Sequence, residues 1–174
     1  MKSFRRSCLI VALAALALLG PAQGQTPSQA PDPKSPTLYL VGSAADRAVC
    51  GEIARGIGQG VVNLCGGTSL VELGSLLQEM NLAITVDSGP MHMATAVGVP
   101  VLAVFGATDP GRTGPFGGSH RVLTAEGLDC RPCFANACRR SDLACLDRVS
   151  AEAVVETAMR RRVTFMVISP SPEG

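Results

Sequence analysis

The chain has 174 residues, a length that allows one domain of ordinary size. Hydrophobic residues make up 47% of it, charged residues make up 17% and the formal net charge is +1, so composition gives no reason to expect a nucleic-acid partner. The low charged fraction is typical of an α/β domain whose strands are covered on both faces.

The first 36 residues carry no pattern of a folded core. Residues 1–24 resemble a secretory signal peptide, because a basic start precedes an apolar run and Ala22-Gln23-Gly24 has the small residues of a cleavage site. The apolar run is shorter than the roughly 20 residues that cross a bilayer. A genuine leader would place the protein in the periplasm, whereas a GC-rich gene read in a shifted frame would yield a similar sequence. Residues 25–36 are proline-rich and predict an extended linker.

From Thr37 onward, short apolar runs alternate with segments of helical spacing. Strands are predicted at 37–41, 61–64, 82–86, 101–105 and 122–123, and helices at 46–57, at 90–97, from Ser69 and from Ser150. This alternation predicts an α/β domain with a Rossmann-like parallel sheet over residues 37–165, followed by a tail at 166–174. A doubly wound half usually opens with one more strand and helix, so the sheet is expected to be incomplete at its N-terminal edge.

The helix that follows the second predicted strand has a specific start signal. Ser69 and Glu72 form a capping-box pattern, which predicts that the helix begins at this point. The side chains expected to face the core from this helix are Leu70, Leu73, Leu76 and Leu77.

The strongest sign of a ligand site is the turn that follows the third predicted strand. The run Asp87-Ser88-Gly89-Pro90 leads from that strand into a helix. Proline suits a first helical turn because its missing N–H costs nothing there. Glycine lets a ligand come close to the backbone without a Cβ in the way.

This turn is predicted to bind an anion. The free N–H groups of Ser88, Met91 and His92, together with the helix dipole, would attract a phosphate at the carboxyl end of the strand. Asp87 would accept a hydrogen bond from a sugar hydroxyl or hold the turn. The alternative is a plain capped turn, with Asp87 as the cap and His92 facing solvent.

A second candidate is the loop Gly106–Pro115, which is rich in glycine and proline. It follows a buried strand and is therefore expected at the same sheet edge as Asp87. It is either an ordinary long connection or a loop that covers a ligand. Long loops without structure of their own are more often functional, which favours the second interpretation.

Four cysteines fall in one short stretch, and two others lie in the helix and strand patterns. Four thiols at these spacings allow a zinc site, two disulfides or free thiols. Cys50 and Cys65 are predicted to be small buried hydrophobic residues. The cysteines of the short stretch are Cys130, Cys133, Cys138 and Cys145.

The motifs between about Thr37 and Arg161 form an ordered set. They are Leu40-Val41-Gly42 with Ala45-Asp46-Arg47, Asn63-Leu64, Gly67-Thr68-Ser69-Leu70 with Glu72-Leu73, the run Asp87 to His92, and the run Val104 to Pro110. In order and spacing this set resembles glycosyltransferase family 9, the ADP-heptose:lipopolysaccharide heptosyltransferases. The cysteine stretch, with Pro132 and Phe134, is also similar to that of many members.

The resemblance implies the two-domain GT-B fold, of which this chain would be the C-terminal half that binds an ADP-sugar. It implies an inverting transfer of heptose from ADP-heptose to the lipopolysaccharide inner core, without a metal cofactor. The donor contacts that it implies are Asp87, Ser88, Gly89, Pro90, Met91 and His92 for the diphosphate and heptose, Thr68 for the adenine, Asp46 for the ribose, and Thr108.

The resemblance also implies parts that this sequence does not contain. The acceptor domain is missing, and with it the aspartate that the family uses as general base, so no catalytic residue is expected here. The opening strand with its lysine loop is missing too, and Gly67 stands where members often have lysine. We therefore expect a fragment that is inactive alone and that belongs, by its family, at the cytoplasmic face of the inner membrane.

Two other functions fit the sequence. One is an exported, non-catalytic binding or structural module whose cysteine cluster is held by disulfides or zinc. The other is a cysteine-based metal or redox protein on the same scaffold. A group of arginines predicts either a solvated helix face or a peripheral contact with an anionic membrane. These arginines are Arg139, Arg140, Arg160, Arg161 and Arg162.

Overall fold

The computed structural model describes residues 38–160 and the backbone of residues 165–168. The predicted leader, the linker, Arg161, Arg162 and residues 169–174 of the tail lie outside the described residues.

Within these ranges the chain alternates strands and helices. The strands are β1 (Leu38–Val41), β2 (Val61–Asn63), β3 (Leu82–Val86), β4 (Val101–Phe105), β5 (Arg121–Thr124) and β6 (Phe165–Ile168). The helices are α1 (Arg47–Ile57), α2 (Leu70–Gln78), α3 (Gly89–Ala96), α4 (Pro110–Thr113), α5 (Ala144–Asp147) and α6 (Ala151–Met159), and a 3-10 turn at Ala44–Asp46 leads into α1. All five predicted strands are confirmed to within two residues at their ends.

The described strands form one parallel sheet in the order β2-β1-β6-β3-β4-β5. The predicted α/β fold with a Rossmann-like parallel sheet is confirmed. Among the described residues, no helix is long and apolar enough to cross a membrane.

Side chains alternate between the two faces along each strand, so apolar side chains project from both faces. Helices pack on both faces and cover these side chains. On one face, α1 and α6 bury Cys50, Ile57, Val154 and Ala158 against Leu38, Leu40, Ile84 and Leu102. On the other face, α2 and α3 bury Leu73, Leu77, Met91 and Ala94 against Ala83, Val101, Ala103 and Phe105. Burial of each large apolar side chain stabilises the fold by about 1.5–3 kcal/mol, so the two layers hold the sheet between them.

The start of α2 confirms one prediction and corrects another. The Ser69 hydroxyl accepts a hydrogen bond from the Glu72 N–H, and the Glu72 carboxylate accepts one from the Ser69 N–H, as the capping box predicts. Leu73 and Leu77 face the core. The prediction for Leu70 is wrong, because its side chain is 72% exposed. The neighbouring Val71 is 80% exposed, so the first two residues of α2 both lie outside the described core.

The strand β6 is the main feature that the sequence did not predict. It pairs in parallel with β1 on one side and with β3 on the other. Val167, for example, lies opposite Leu40 of β1 and Ile84 of β3. Residues 166–168, which we assigned to the tail, therefore lie in the interior of the sheet and join its two halves.

Removal of β6 is expected to abolish cooperative unfolding, because it leaves β1 and β3 without the strand that pairs with both. A chain that ends at residue 160 should show no cooperative urea transition by circular dichroism. A chain that ends at residue 168 keeps β6 and should unfold as cooperatively as the 174-residue protein. A cooperative transition in the shorter chain would show that β6 is dispensable.

Candidate functional site

The predicted donor contacts lie at one edge of the sheet. Because the described strands are parallel, the loops that follow them all leave at the carboxyl edge. In sheet order these loops carry Thr68 after β2, Asp46 after β1, the run Asp87 to His92 after β3, and Thr108 after β4. The ends of β2 and β3 are three strand positions apart, which is about 14 Å at the usual spacing of about 4.8 Å. A ligand that touches both loops is therefore elongated.

The turn between β3 and α3 leaves the start of the helix open. Ser88 is the N-cap residue of α3, but its side chain makes no capping hydrogen bond. Its hydroxyl instead donates to the Val86 carbonyl and lies 3.2 Å from the Thr85 hydroxyl. Pro90 lies in the first turn, as predicted. Apart from its chain neighbours and the backbone of α3, no described atom lies within 4 Å of the position that a Cβ on Gly89 would take.

One of the amide groups that we predicted to be free at this turn is paired. The prediction of a free N–H at Met91 is wrong, since this group donates to the Ser88 carbonyl over 3.1 Å. The Met91 side chain is fully buried in the core, so the residue anchors α3 and does not present its side chain to a ligand. His92 is exposed one residue further on. The positive end of the α3 dipole and the exposed imidazole remain available to an anion.

Asp87 links the two predicted ligand loops. Its carboxylate accepts a hydrogen bond of 2.7 Å from the hydroxyl of Thr113, which lies 26 residues later. Asp87 is therefore not the cap of α3. The loop after β4 is not without structure, because it contains the one-turn helix α4, which begins where the Asp109 carboxylate accepts from the Gly111 N–H. Thr113 has no signal in the sequence that would have identified it.

The other end of the edge is formed by the loops after β1 and β2. Asp46 is only 2% exposed, and one of its carboxylate oxygens accepts from both the N–H and the hydroxyl of Ser43 at 2.8 and 2.7 Å. A ribose contact would have to use its other oxygen. Arg47 donates to the Cys65 carbonyl over 2.9 Å and so ties the loop after β2 to the start of α1. Thr68 is half-buried beside this contact.

The stretch 130–146, which we call the cysteine segment, packs against the loop after β4. The guanidinium of Arg131 donates to the carbonyls of Gly106, Thr108 and Ala125. The N–H groups of Cys133 and Phe134 both donate to the carbonyl of Ala107, at 2.9 and 3.0 Å. These bonds, which could not be predicted from the sequence, hold the second ligand loop in place.

The cysteines of this segment are free thiols in the structure, and so are Cys50 and Cys65, which are buried as predicted. The four thiols line one pocket beside Ala107. Within the described ranges, no three His, Cys, Asp or Glu side chains lie close enough together to hold a metal ion. The zinc and disulfide alternatives for Cys130, Cys133, Cys138 and Cys145 stay predictions.

Sequence comparison places the chain among bacterial sugar transferases. The family model described as "Glycosyltransferase family 9 (heptosyltransferase)" matches residues 34–144. Lipooligosaccharide heptosyltransferase 2 of Campylobacter jejuni is 31% identical over 122 residues, which is 68% of this chain and 39% of that protein. Lipopolysaccharide heptosyltransferase 1 of Pseudomonas aeruginosa is 36% identical over 97 residues, which is 56% of this chain and 26% of that protein. The chain thus spans well under half the length of these relatives.

Structural comparison gives the same picture. The ADP-heptose lipopolysaccharide heptosyltransferase II of Escherichia coli superposes with a TM-score of 0.58 at 26% identity, covering 71% of this chain and 35% of that one. A family 9 glycosyl transferase from Veillonella parvula has the same fold, with a TM-score of 0.61 at 21% identity, over 91% of this chain and 40% of that one. The predicted correspondence to one half of a larger fold agrees with these partial coverages.

Two thiols of the cysteine segment are expected to react at different pH. The backbone N–H of Leu143 hydrogen-bonds to the sulfur of Cys138 and lowers the pKa of that thiol, whereas burial raises the pKa of the Cys145 thiol. Since the thiolate is the nucleophile, iodoacetamide should label Cys138 faster, and labelling of Cys145 should fall off first as the pH is lowered from 9 to 7. Peptide mapping by mass spectrometry measures both rates, and equal rates across this pH range would refute the assignment.

Proposed function

The chain belongs to glycosyltransferase family 9, and on that basis we propose that its α/β domain binds ADP-heptose as the donor half of an inverting heptosyltransferase. The acceptor would be the inner core of lipopolysaccharide, bound by a domain outside these residues. No catalytic residue is assigned to this chain.

The observation that carries the proposal is the open N-terminus of α3. The Ser88 side chain leaves the first turn of this helix uncapped, and the position that a Cβ on Gly89 would take is open. The positive end of a helix at the carboxyl edge of a parallel sheet attracts an anion. A diphosphate at this position would face that helix end without a competing side-chain cap from Ser88.

The remaining loops match the rest of a nucleotide-sugar. With the diphosphate at α3, the adenosine would extend over β1 and β2, where Thr68 would lie near the base and Asp46 near the ribose. The heptose would lie on the other side, against Asp87 and Thr108. His92 is exposed in the first turn of α3 and would donate to a phosphate oxygen.

The proposal also concerns the place of the reaction. A nucleotide-sugar donor and a membrane-bound acceptor would meet at the cytoplasmic face of the inner membrane. Three arginines of the group near the C-terminus are described. Arg139 is exposed, Arg140 forms a salt bridge with Asp142, and Arg160 forms one with Glu156. These surface pairs stabilise little and leave the arginines able to approach an anionic membrane as a peripheral contact.

Gly89→Asp is expected to weaken ADP binding without unfolding the protein. The new side chain enters empty space at a helix N-terminus, where an acidic residue is favourable to the helix. The same carboxylate would repel a phosphate about 4 Å away by about 1–4 kcal/mol, which weakens binding between about fivefold and about a thousandfold. Isothermal titration calorimetry with ADP measures the affinity, and thermal unfolding measures the fold.

Gly118→Asp is the matched control, because it adds the same charge at another glycine with open space around it. Gly118 lies two residues before His120, whose ring accepts from the N–H of Val101 at the amino end of β4, away from the proposed site. Its ADP affinity should match that of the unaltered protein. If Gly89→Asp binds ADP as tightly as Gly118→Asp, the diphosphate does not lie at α3.

The 174-residue chain alone is expected to transfer no heptose. Loss of a general base costs about 10²–10⁴ in rate, and loss of acceptor positioning costs several kcal/mol more. Purified protein should be incubated with ADP-heptose and heptose-deficient lipopolysaccharide, and ADP release should be followed. Release above that of the Gly89→Asp protein would show that the chain carries a base of its own.

A further inference from the structure

We propose that Arg112 is a phosphate-binding residue of the donor site, held in position by the ring of Phe134. This inference rests on the proposed function, because it identifies the positive charge that would face the diphosphate.

The geometry of Arg112 is unusual for an exposed arginine. Its guanidinium carbon lies 4.9 Å from the centre of the Phe134 ring, within the range of a cation–π contact. Among the described residues, no carboxylate lies within salt-bridge distance of the guanidinium, and no protein acceptor takes a hydrogen bond from it. The side chain is therefore positioned by an aromatic face while its N–H donors remain available, and a planar fork of this kind matches two phosphate oxygens.

The other described arginines near the carboxyl edge already donate hydrogen bonds to backbone carbonyls. Arg131 donates to three backbone carbonyls and has little capacity left for a ligand. Arg47 donates to the Cys65 carbonyl at the β1–β2 end of the edge. His92 is exposed in the first turn of α3 and would approach a phosphate from the helix side. A diphosphate carries more negative charge than one helix end neutralises, so a further cation at the β3–β4 end is needed.

Arg112 lies at the β3–β4 end of the carboxyl edge. The next residue, Thr113, donates to the carboxylate of Asp87, and Asp87 lies two residues before Gly89. The hydrogen bond thus brings the end of α4 close to the start of α3. A phosphate at α3 would be approached from one side by the helix amides and from the other by the guanidinium of Arg112.

Phe134 is held firmly enough to act as a platform. Its N–H and that of Cys133 both donate to the carbonyl of Ala107, the second residue after β4. Its backbone has a φ of 51°, a region that residues other than glycine seldom occupy, so the surrounding contacts determine its conformation. The cysteine segment thereby acquires a role in the donor site that requires neither a metal nor a disulfide.

The test compares ADP with adenosine, which lacks phosphate, by calorimetry on the full chain. Arg112→Ala should weaken ADP binding about tenfold, the loss of one charge-assisted contact, and should leave adenosine binding within about twofold. Phe134→Leu should weaken ADP binding less, about threefold, because the charge remains but is no longer positioned. Arg112→Lys should recover part of the ADP affinity.

Arg55→Ala is the matched control, because Arg55 is also an exposed helical arginine, and its guanidinium donates to a backbone carbonyl, that of Gly51. It lies near the end of α1, at the opposite edge of the sheet, and its loss should change neither affinity. The salt dependence gives a second readout, since ADP binding by Arg112→Ala should fall less steeply with added NaCl than binding by Arg55→Ala.

The outcomes separate the two proposals. If the unaltered protein binds ADP and Gly89→Asp weakens this binding, while Arg112→Ala matches Arg55→Ala, only the role of Arg112 is overturned. Equal weakening of ADP and adenosine by Arg112→Ala would mean a structural role and would also overturn it. If the unaltered protein binds no ADP, the donor site and the role of Arg112 both fall.

Discussion

The parallel direction of the strands is the constraint on which the site depends. Backbone pairing in one direction sends every loop that follows a described strand to the same edge. Residues that are far apart in the chain are thereby aligned in sheet order, from Thr68 at one end to Thr108 at the other. An elongated ligand can then be bound by several short loops, each of which supplies only one or two contacts.

The two ends of this edge are stabilised by different means. At the β1–β2 end, Asp46 accepts from Ser43 three residues earlier, and Arg47 donates to the Cys65 carbonyl 18 residues later. At the β3–β4 end the contacts span more of the chain, as in the hydrogen bond from Thr113 to Asp87 and the bonds from Arg131 to Gly106 and Thr108. The cysteine segment therefore determines the position of a loop that precedes it by more than twenty residues, and a change there would alter the site without touching its ligand contacts.

Local patterns were sufficient to predict most of the fold. Apolar runs located β1 to β5, and the Ser69–Glu72 pair located the start of α2, because these signals depend on neighbouring residues. The long-range features were not accessible in this way. Nothing near Thr113 indicates that its hydroxyl reaches Asp87, and the amide of Met91 could be assigned to the turn only once the backbone path was known. The four residues of β6 have a plain apolar pattern that does not specify two partner strands from the first half of the domain.

The central position of β6 in the sheet has a consequence for how the protein folds during its synthesis. Translation produces β2-β1 and β3-β4-β5 long before Phe165 appears, so two partial sheets coexist with unpaired edges toward each other. Contacts that wait for the most distant part of the chain fold slowly, and open strand edges are prone to wrong pairing in the meantime. Only when residues 165–168 have been made can the β1 and β3 edges be covered and the sheet become continuous.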